Sequence, residues 1–217
     1  MSLKQRFSEK DLERIKAAVR EAEGKISGEI VPVFVEKSGY YTIANYRGAM
    51  ILATFAFALI VIFDRYVPSI SVYDPLLIFI LVAAAGALGA IITHYILPVK
   101  YWLLSQFHRD QSTRKRAENA FLEEEIFNTR HRTGIMIFVS FFEHEVIVMA
   151  DRGICKVVDQ KEWDKIVINL ITNIRKDKVA DGIIMAIERC TEVLLENGFT
   201  RTNDDVNELR DDLRLED

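Results

Sequence analysis

Cysteine is scarce in this chain: Cys155 and Cys190 are the two among 217 residues, far too few for a disulfide framework. No CxxC, Cys/His cluster or HExxH occurs, so a zinc site has no support in the sequence. The first residues, Met1–Arg6, run into a charged pattern and lack the apolar core of a signal peptide. A basic surplus is also missing. The formal charge is −4, and Arg201–Asp217 alone accounts for it with seven acidic and three basic residues. The balanced remainder excludes nucleic acid as the main partner, because a nucleic-acid-binding face leaves a positive excess. Charge itself is absent from two long stretches, Gly48–Phe63 and Pro75–Val99.

Those two stretches are what the sequence has in place of an ordinary soluble core. Pro75–Val99 would measure about 37 Å as a helix, enough for a hydrocarbon core of about 30 Å. Its Ala83–Ala90 run, Ala-Ala-Ala-Gly-Ala-Leu-Gly-Ala, has the small residues that let membrane helices approach closely. Gly48–Phe63 is shorter, about 24 Å, and Ile43–Tyr46 extends it if Arg47 snorkels to the headgroups. Tyrosines 40, 41, 46, 66, 73, 95 and 101 and Trp102 gather near the ends of both spans, as in an aromatic belt. The alternative, a helical hairpin buried in a soluble core, fits poorly with two such runs in one small domain. The lipid bilayer is therefore an expected partner. Lys37, Arg47, Lys100, Arg109, Arg114, Lys115 and Arg116 flank the pair, against Arg65 alone in the connection Asp64–Asp74. The positive-inside rule then places both termini in the cytoplasm of a multi-pass protein of the bacterial inner membrane, where free thiols persist.

The remaining residues, about 160, suit one compact domain. Ser8-Glu9-Lys10-Asp11 is a helix start, followed by Leu12, Ile15, Val19 and Ala22 at helical spacing and a stop at Gly24. Glu29–Glu36 reads as a strand, and Pro32 makes it an edge there or gives it a bulge. Ser112–Arg130 reads as a helix burying Ala117, Ala120, Phe121 and Phe127. Ile135–Phe141 and Val146–Ala150 form a hairpin. Trp163 to Ile174 and Ile183 to Leu194 are two amphipathic helices closing at Asn197-Gly198. The strand–helix–strand crossover implies parallel pairing and the hairpin adds an antiparallel strand. The fold class is α/β: a small mixed β-sheet with helices on its faces, interrupted by a transmembrane helical hairpin. The parts are 1–42 and 100–199 as two pieces of one domain, 43–99 as the inserted hairpin, and 200–217 as an acidic tail.

Four motifs carry a resemblance: Ser27-Gly28-Glu29-Ile30-Val31, Thr129–Ile135 around Arg132-Thr133-Gly134, Ala150-Asp151-Arg152-Gly153-Ile154, and Trp163 with Ala180-Asp181-Gly182-Ile183. In order and spacing they resemble the TPM domain family, named for a thylakoid protein, a photosystem II repair protein and a nematode receptor modulator. The likeness runs from about Ser8 to Phe199 and is strongest to bacterial members with two membrane spans after the first strand. It implies an α/β/α sandwich. It also implies roles in membrane-complex assembly or modulation, divalent-cation binding in some members, and acid phosphatase activity in a plant member. The chain departs from the family at Pro32, usually β-branched, and at Asn197-Gly198-Phe199, where a His-Phe-Pro ending is common.

For chemistry, three motifs are expected at one sheet edge: Ser27-Gly28-Glu29 entering the first strand, Arg132-Thr133-Gly134 entering the second, and Asp151-Arg152-Gly153 leaving the third. Glu29 and Asp151, with Asp181 beside Gly182 as a third carboxylate, could offer hard oxygen ligands to Ca²⁺ or Mg²⁺. The plainer alternative is a helix cap at Asp181, an ion pair between Asp151 and Arg132 or Arg152, and turn glycines. Phosphatase chemistry has little support. Lys161 and Glu196 stand six residues after the two cysteines, where a Cys-x₅-Arg loop needs arginine, and no Asp-x-Asp nucleophile motif occurs. His108, His131 and His144 lie among charges and read as solvated, His94 lies in the second span, and Trp163 reads as core. The favoured reading is a membrane-anchored interaction or assembly module with a membrane or cytoplasmic protein partner, binding Ca²⁺ or Mg²⁺ if any cofactor. The alternative is a hydrolase using the same acidic edge with a metal-activated water.

Overall fold

The structure is a computed structural model describing residues 6–67, 72–201, 208–210 and 212–216. The chain divides into two compact units, Met1–Gly39 with Asp110–Asp217, and Tyr40–Arg109.

In the first unit, α1 (Glu9–Glu23) starts at a capping box in which Ser8 and Asp11 satisfy each other's backbone N–H. β1 (Glu29–Val35) follows. In the second unit come α2 (Thr42–Tyr66), α3 (Pro75–Tyr95) and the short α4 (Leu97–Leu103). The chain then runs through α5 (Gln106–Glu123), β2 (Gly134–Ser140), β3 (Glu145–Ala150), the single turn α6 (Arg152–Cys155), α7 (Gln160–Arg175), α8 (Val179–Glu196) and β4 (Arg214–Glu216).

The sheet order is β3-β2-β1-β4, with β1 parallel to both β2 and β4 and β2 antiparallel to β3. Residues alternate between its faces. Ile30, Phe34, Ile135, Ile137 and Val139 pack against Ile15 and Val19 of α1, Trp163, Ile166 and Leu170 of α7, and Ile183 and Ile187 of α8. On the other face Val31, Val33, Met136 and Phe138 pack against Ala117 and Ala120 of α5 and against Ile126. Helices on both sides of a mixed sheet make this an α/β/α sandwich, as the family resemblance implies. Trp163 is core, 3 % exposed.

Three features differ from the sequence expectation or sharpen it. Pro32 does sit on an open edge, because β4 begins only opposite Val33. Ile30, in the same position of the pleat, must give its N–H to the Glu23 carboxylate at 3.2 Å; Pro32 has no N–H to satisfy. The helix expected to run to Arg130 ends at Glu123, since Glu125 takes φ 53°, which no helix continues. The acidic tail is not merely appended. Its residues Arg214–Glu216 form β4, Leu213 and Leu215 join one core face, and Leu209 joins the other. Buried Arg214 pairs with Glu124 at 2.6 Å.

In the second unit, α2 and α3 have mean hydropathies of 2.0 and 2.7, and each is long and apolar enough to cross a membrane. Only 6 % and 11 % of their most apolar windows are buried, the opposite of a hairpin hidden in a soluble core. Phe55, Ile62, Leu76 and Phe79 project outward, half exposed or more. The helices touch through small residues: Gly48, Gly89 and Thr93 are buried at the crossing. A Cβ built at Gly89 would meet the Leu52 Cβ at 2.9 Å. Thr93 donates its hydroxyl proton to Gly89 O at 2.9 Å, which satisfies its polar group within the helix itself.

Candidate functional site

The three expected motifs do meet at one edge of the sheet. Glu29 opens β1 opposite Gly134, the first residue of β2. Asp151, just past β3, donates its backbone N–H to Gly134 O at 2.8 Å. By the two-residue alternation, Glu29, Gly134 and Asp151 all belong to the face that carries α5.

Gly134 is required there. A Cβ would overlap the backbone and side chain of Ile126, which crosses directly over it. Gly153 is required as well, because a Cβ would lie 2.7 Å from His131 O. Its N–H donates to Arg132 O at 3.1 Å. These contacts fix the loop 129–134, in which Arg132 takes φ 59°, Thr133 N–H donates to Thr129 Oγ1 at 3.0 Å, and Glu29 N–H donates to Thr133 O at 3.3 Å. Ser27 ties in the end of α8 by donating its N–H to Phe199 O at 3.0 Å, while Gly28 passes close to Thr133 O.

Each carboxylate has its own partners. Asp151 is the N-cap of α6, accepting from Arg152 N–H at 2.7 Å. Its other oxygen lies 3.1 Å from Arg132 Nε, an ion pair in which the N–H is not aimed at the oxygen. Arg132 also donates from Nη1 to Phe127 O at 2.5 Å and lies over the Phe127 ring. Glu29, buried, accepts from the Glu208 N–H at 3.0 Å, and Glu208 in turn accepts from Arg130 N–H at 2.9 Å.

Asp181 is not at this edge. It lies in the first turn of α8, half exposed, paired with Arg14 at 2.7 Å. The far end of α8, near Phe199, is the end that meets Ser27. Asp181 and Asn197 are about 24 Å apart along the helix axis. Gly182 serves the contact of α8 with Leu170 and Asn173 of α7. The expected trio of ligands is thus a pair, two strand spacings or about 10 Å apart between Cα atoms, with a guanidinium on one member. No group of three or more His, Cys, Asp or Glu suited to a metal occurs among the described residues. As placed, these side chains do not fit a divalent-cation cage of six to eight oxygens. The ion-pair alternative for Asp151 is the arrangement found.

A second polar cluster, at the opposite ends of β1 and β2, was invisible to motif reasoning. Glu143, 5 % exposed, accepts from Ser38 N–H at 2.9 Å and from the Ser140 hydroxyl, and Ser38 Oγ donates to Ser140 Oγ at 2.8 Å. The available signal was a carboxylate inside the apolar turn Phe141–His144.

With this geometry in hand, comparison with known proteins is informative. The TPM domain family model matches residues 103–193, which include α5, all of β2 and β3, the Arg132–Gly134 and Asp151–Gly153 motifs, and most of α8. The match to the TPM domain thus takes in the sheet's two central motifs. No curated protein sequence matches it. Among solved structures, the NMR structure of the BA42 protein from the psychrophilic bacterium Bizionia argentinensis is similar, with TM-score 0.58 and 17 % identity over 96 % of this chain and 94 % of that one. At that identity the likeness speaks to fold.

Proposed function

We infer that this protein is a membrane-anchored interaction module: a TPM domain held at the bilayer by α2 and α3, working in the assembly or modulation of membrane complexes. The observation that carries the reading is the outward apolar surface of the α2–α3 pair, inserted between β1 and β2, which are neighbours in one sheet. An insertion that leaves strand pairing intact can anchor a domain without reshaping it. The acidic edge supports binding over hydrolysis, because Asp151 is engaged by Arg132 and the Arg152 N–H and is not poised beside a nucleophile.

In this reading both termini face the cytoplasm and Tyr73 faces outward. A Tyr73→Cys variant should react with an impermeant thiol reagent in intact cells, and a Ser2→Cys variant should not; the reverse pattern inverts the orientation. A Ca²⁺ or Mg²⁺ ion at the acidic edge would have to draw Asp151 off Arg132. Cation-induced thermal stabilisation that disappears in Asp151→Ala would establish it. The central test is migration of the full chain from gently solubilised native membranes. It should run within a complex larger than itself. Migration alone, together with metal-dependent phosphoester turnover lost in Asp151→Asn, would instead establish the hydrolase.

A further inference from the structure

β4 lies beyond the part of the chain that resembles other proteins of its family. The family match ends at residue 193, whereas β4 is Arg214–Glu216. The segment that carries it nevertheless meets a surface that fits it residue by residue. Leu213 and Leu215 pack on one face of the sheet and Leu209 on the other. Between the first two, buried Arg214 donates from Nε to the Glu124 carboxylate at 2.6 Å. Arg210 lies 3.7 Å from the same oxygen. At the start of the segment the Glu208 N–H donates to Glu29 at 3.0 Å, and Lys16 pairs with Asp212 farther on.

These contacts read a pattern: an arginine between two apolar residues in an extended segment, set against a carboxylate. The edge of β1 offers only a short stretch for it. Ile30 gives its N–H to Glu23, and Pro32 has none to give. Val33–Val35 is the part that pairs, in parallel register with Arg214–Glu216. A ladder of three residues, flanked by the exposed side chains of Arg210 and Asp212, opens at lower cost than the strands at the centre of the sheet. What it uncovers is an acceptor for a strand, with apolar ground on both faces and the charge of Glu124 beside it. Addition of an extended peptide to such an edge is a general mode of recognition, in which main-chain bonds give affinity and side-chain contacts give specificity.

We propose that the Val33–Val35 edge with Glu124 is a docking site for an extended segment of a partner protein carrying an arginine between two apolar residues. Residues 208–216 occupy it as a tethered competitor, which the partner displaces. The site rests on the reading of the chain as an interaction module and names the surface that such a module would use.

The probe is a fluorescent peptide with the sequence of residues 208–216, added to the full chain in detergent. A tethered segment competes at high effective concentration, so the unaltered chain should bind the peptide weakly. The Arg214→Gln chain, whose own segment is loosened, should bind it about tenfold more tightly. That gain should be lost when glutamine replaces Arg214 in the peptide too, or when Glu124→Gln is added to the chain. In the unaltered chain, the amides of Leu213–Glu216 should exchange hydrogen about a hundredfold faster than those of Ile135–Val139. Exchange at the same rate would mean that β4 opens only when the whole domain unfolds, and overturns the proposal without any variant. So does an Arg214→Gln chain that melts cooperatively and binds no peptide, or one that no longer melts cooperatively. Equal binding of the arginine and glutamine peptides overturns the recognition of arginine. An unaltered chain that dimerises as its concentration rises, and that the peptide returns to monomers, shows exchange of segments between copies and overturns the partner assignment. Loss of the site leaves migration within a larger complex as it was, so the two readings fail separately.

Discussion

Arg132 Nε and Asp151 Oδ2 stand 3.1 Å apart across the loop that enters β2, with the Asp151 side chain 7 % and the Arg132 side chain 35 % exposed. Asp151 is at once the cap of α6 and the counter-charge of an arginine in a left-handed conformation. Asp151→Ala removes both and should cost about 2–4 kcal/mol. Asp151→Asn keeps an acceptor for the Arg152 N–H and should lose about half of that. Urea unfolding of the full chain in detergent checks both. A loss under about 0.5 kcal/mol for Asp151→Ala would mean the residue is only a surface turn.

Excising residues 43–99 and bridging the gap should leave a soluble domain that melts cooperatively. Among the described residues, the members of both apolar clusters of the sandwich all come from outside 40–109. Calorimetry of the shortened chain should give one transition. An aggregated or molten product would mean that the spans template the fold.

The α2–α3 crossing can be tested in native membranes by cross-linking. A Cβ at Gly86 lies 3.5 Å from the Ala53 Cβ, within disulfide reach. With Cys155 and Cys190 replaced by serine, Ala53→Cys/Gly86→Cys should oxidise within one chain at low protein density. A cross-link formed solely between two chains would show that the spans pair between molecules.

The two native thiols should behave differently. Burial pushes the Cys190 thiol up to about 12, and burial followed by the nearby Asp151 charge raises that of Cys155. At pH 8 Ellman's reagent should find Cys155 slowly in the native protein and Cys190 only after unfolding. The sign for stability follows. The unfolded thiol loses its proton above about 8.5, while the folded Cys190 keeps it, so the native state weakens as pH rises from there toward 12. Equal native labelling of both cysteines would show that the α8 core is open.

The strong periodic signals were legible: the stripes of α7 and α8, the β-branched runs of β2 and β3, and the two charge-free spans all lie where the sequence puts them. So did the meeting of Glu29, Gly134 and Asp151, because strand direction alone decides it. Asp181 needed more, namely the direction in which α8 crosses the sheet, which no local pattern encodes. β4 was hidden because Arg-Leu-Glu within an acidic run carries no strand propensity; its place comes from Val33–Val35 and from the buried Arg214–Glu124 pair. The shift of α5 toward Gln106 has the same origin, since Phe107–Asp110 shows no buried stripe to announce a helix.

β1 and β2 pair residue for residue, yet Glu29 and its partner Gly134 are 105 positions apart in the chain. At a ribosome moving about 5–20 residues per second, β1 waits some 5–20 s before its partner exists, and within that interval α2 and α3 are made. During the wait Ile-Val-Pro-Val-Phe-Val is an apolar strand without its β2 partner. Pro32 interrupts the row of N–H groups that a stray strand would need. A residue that looks like a blemish in the finished sheet thus guards the chain during its birth.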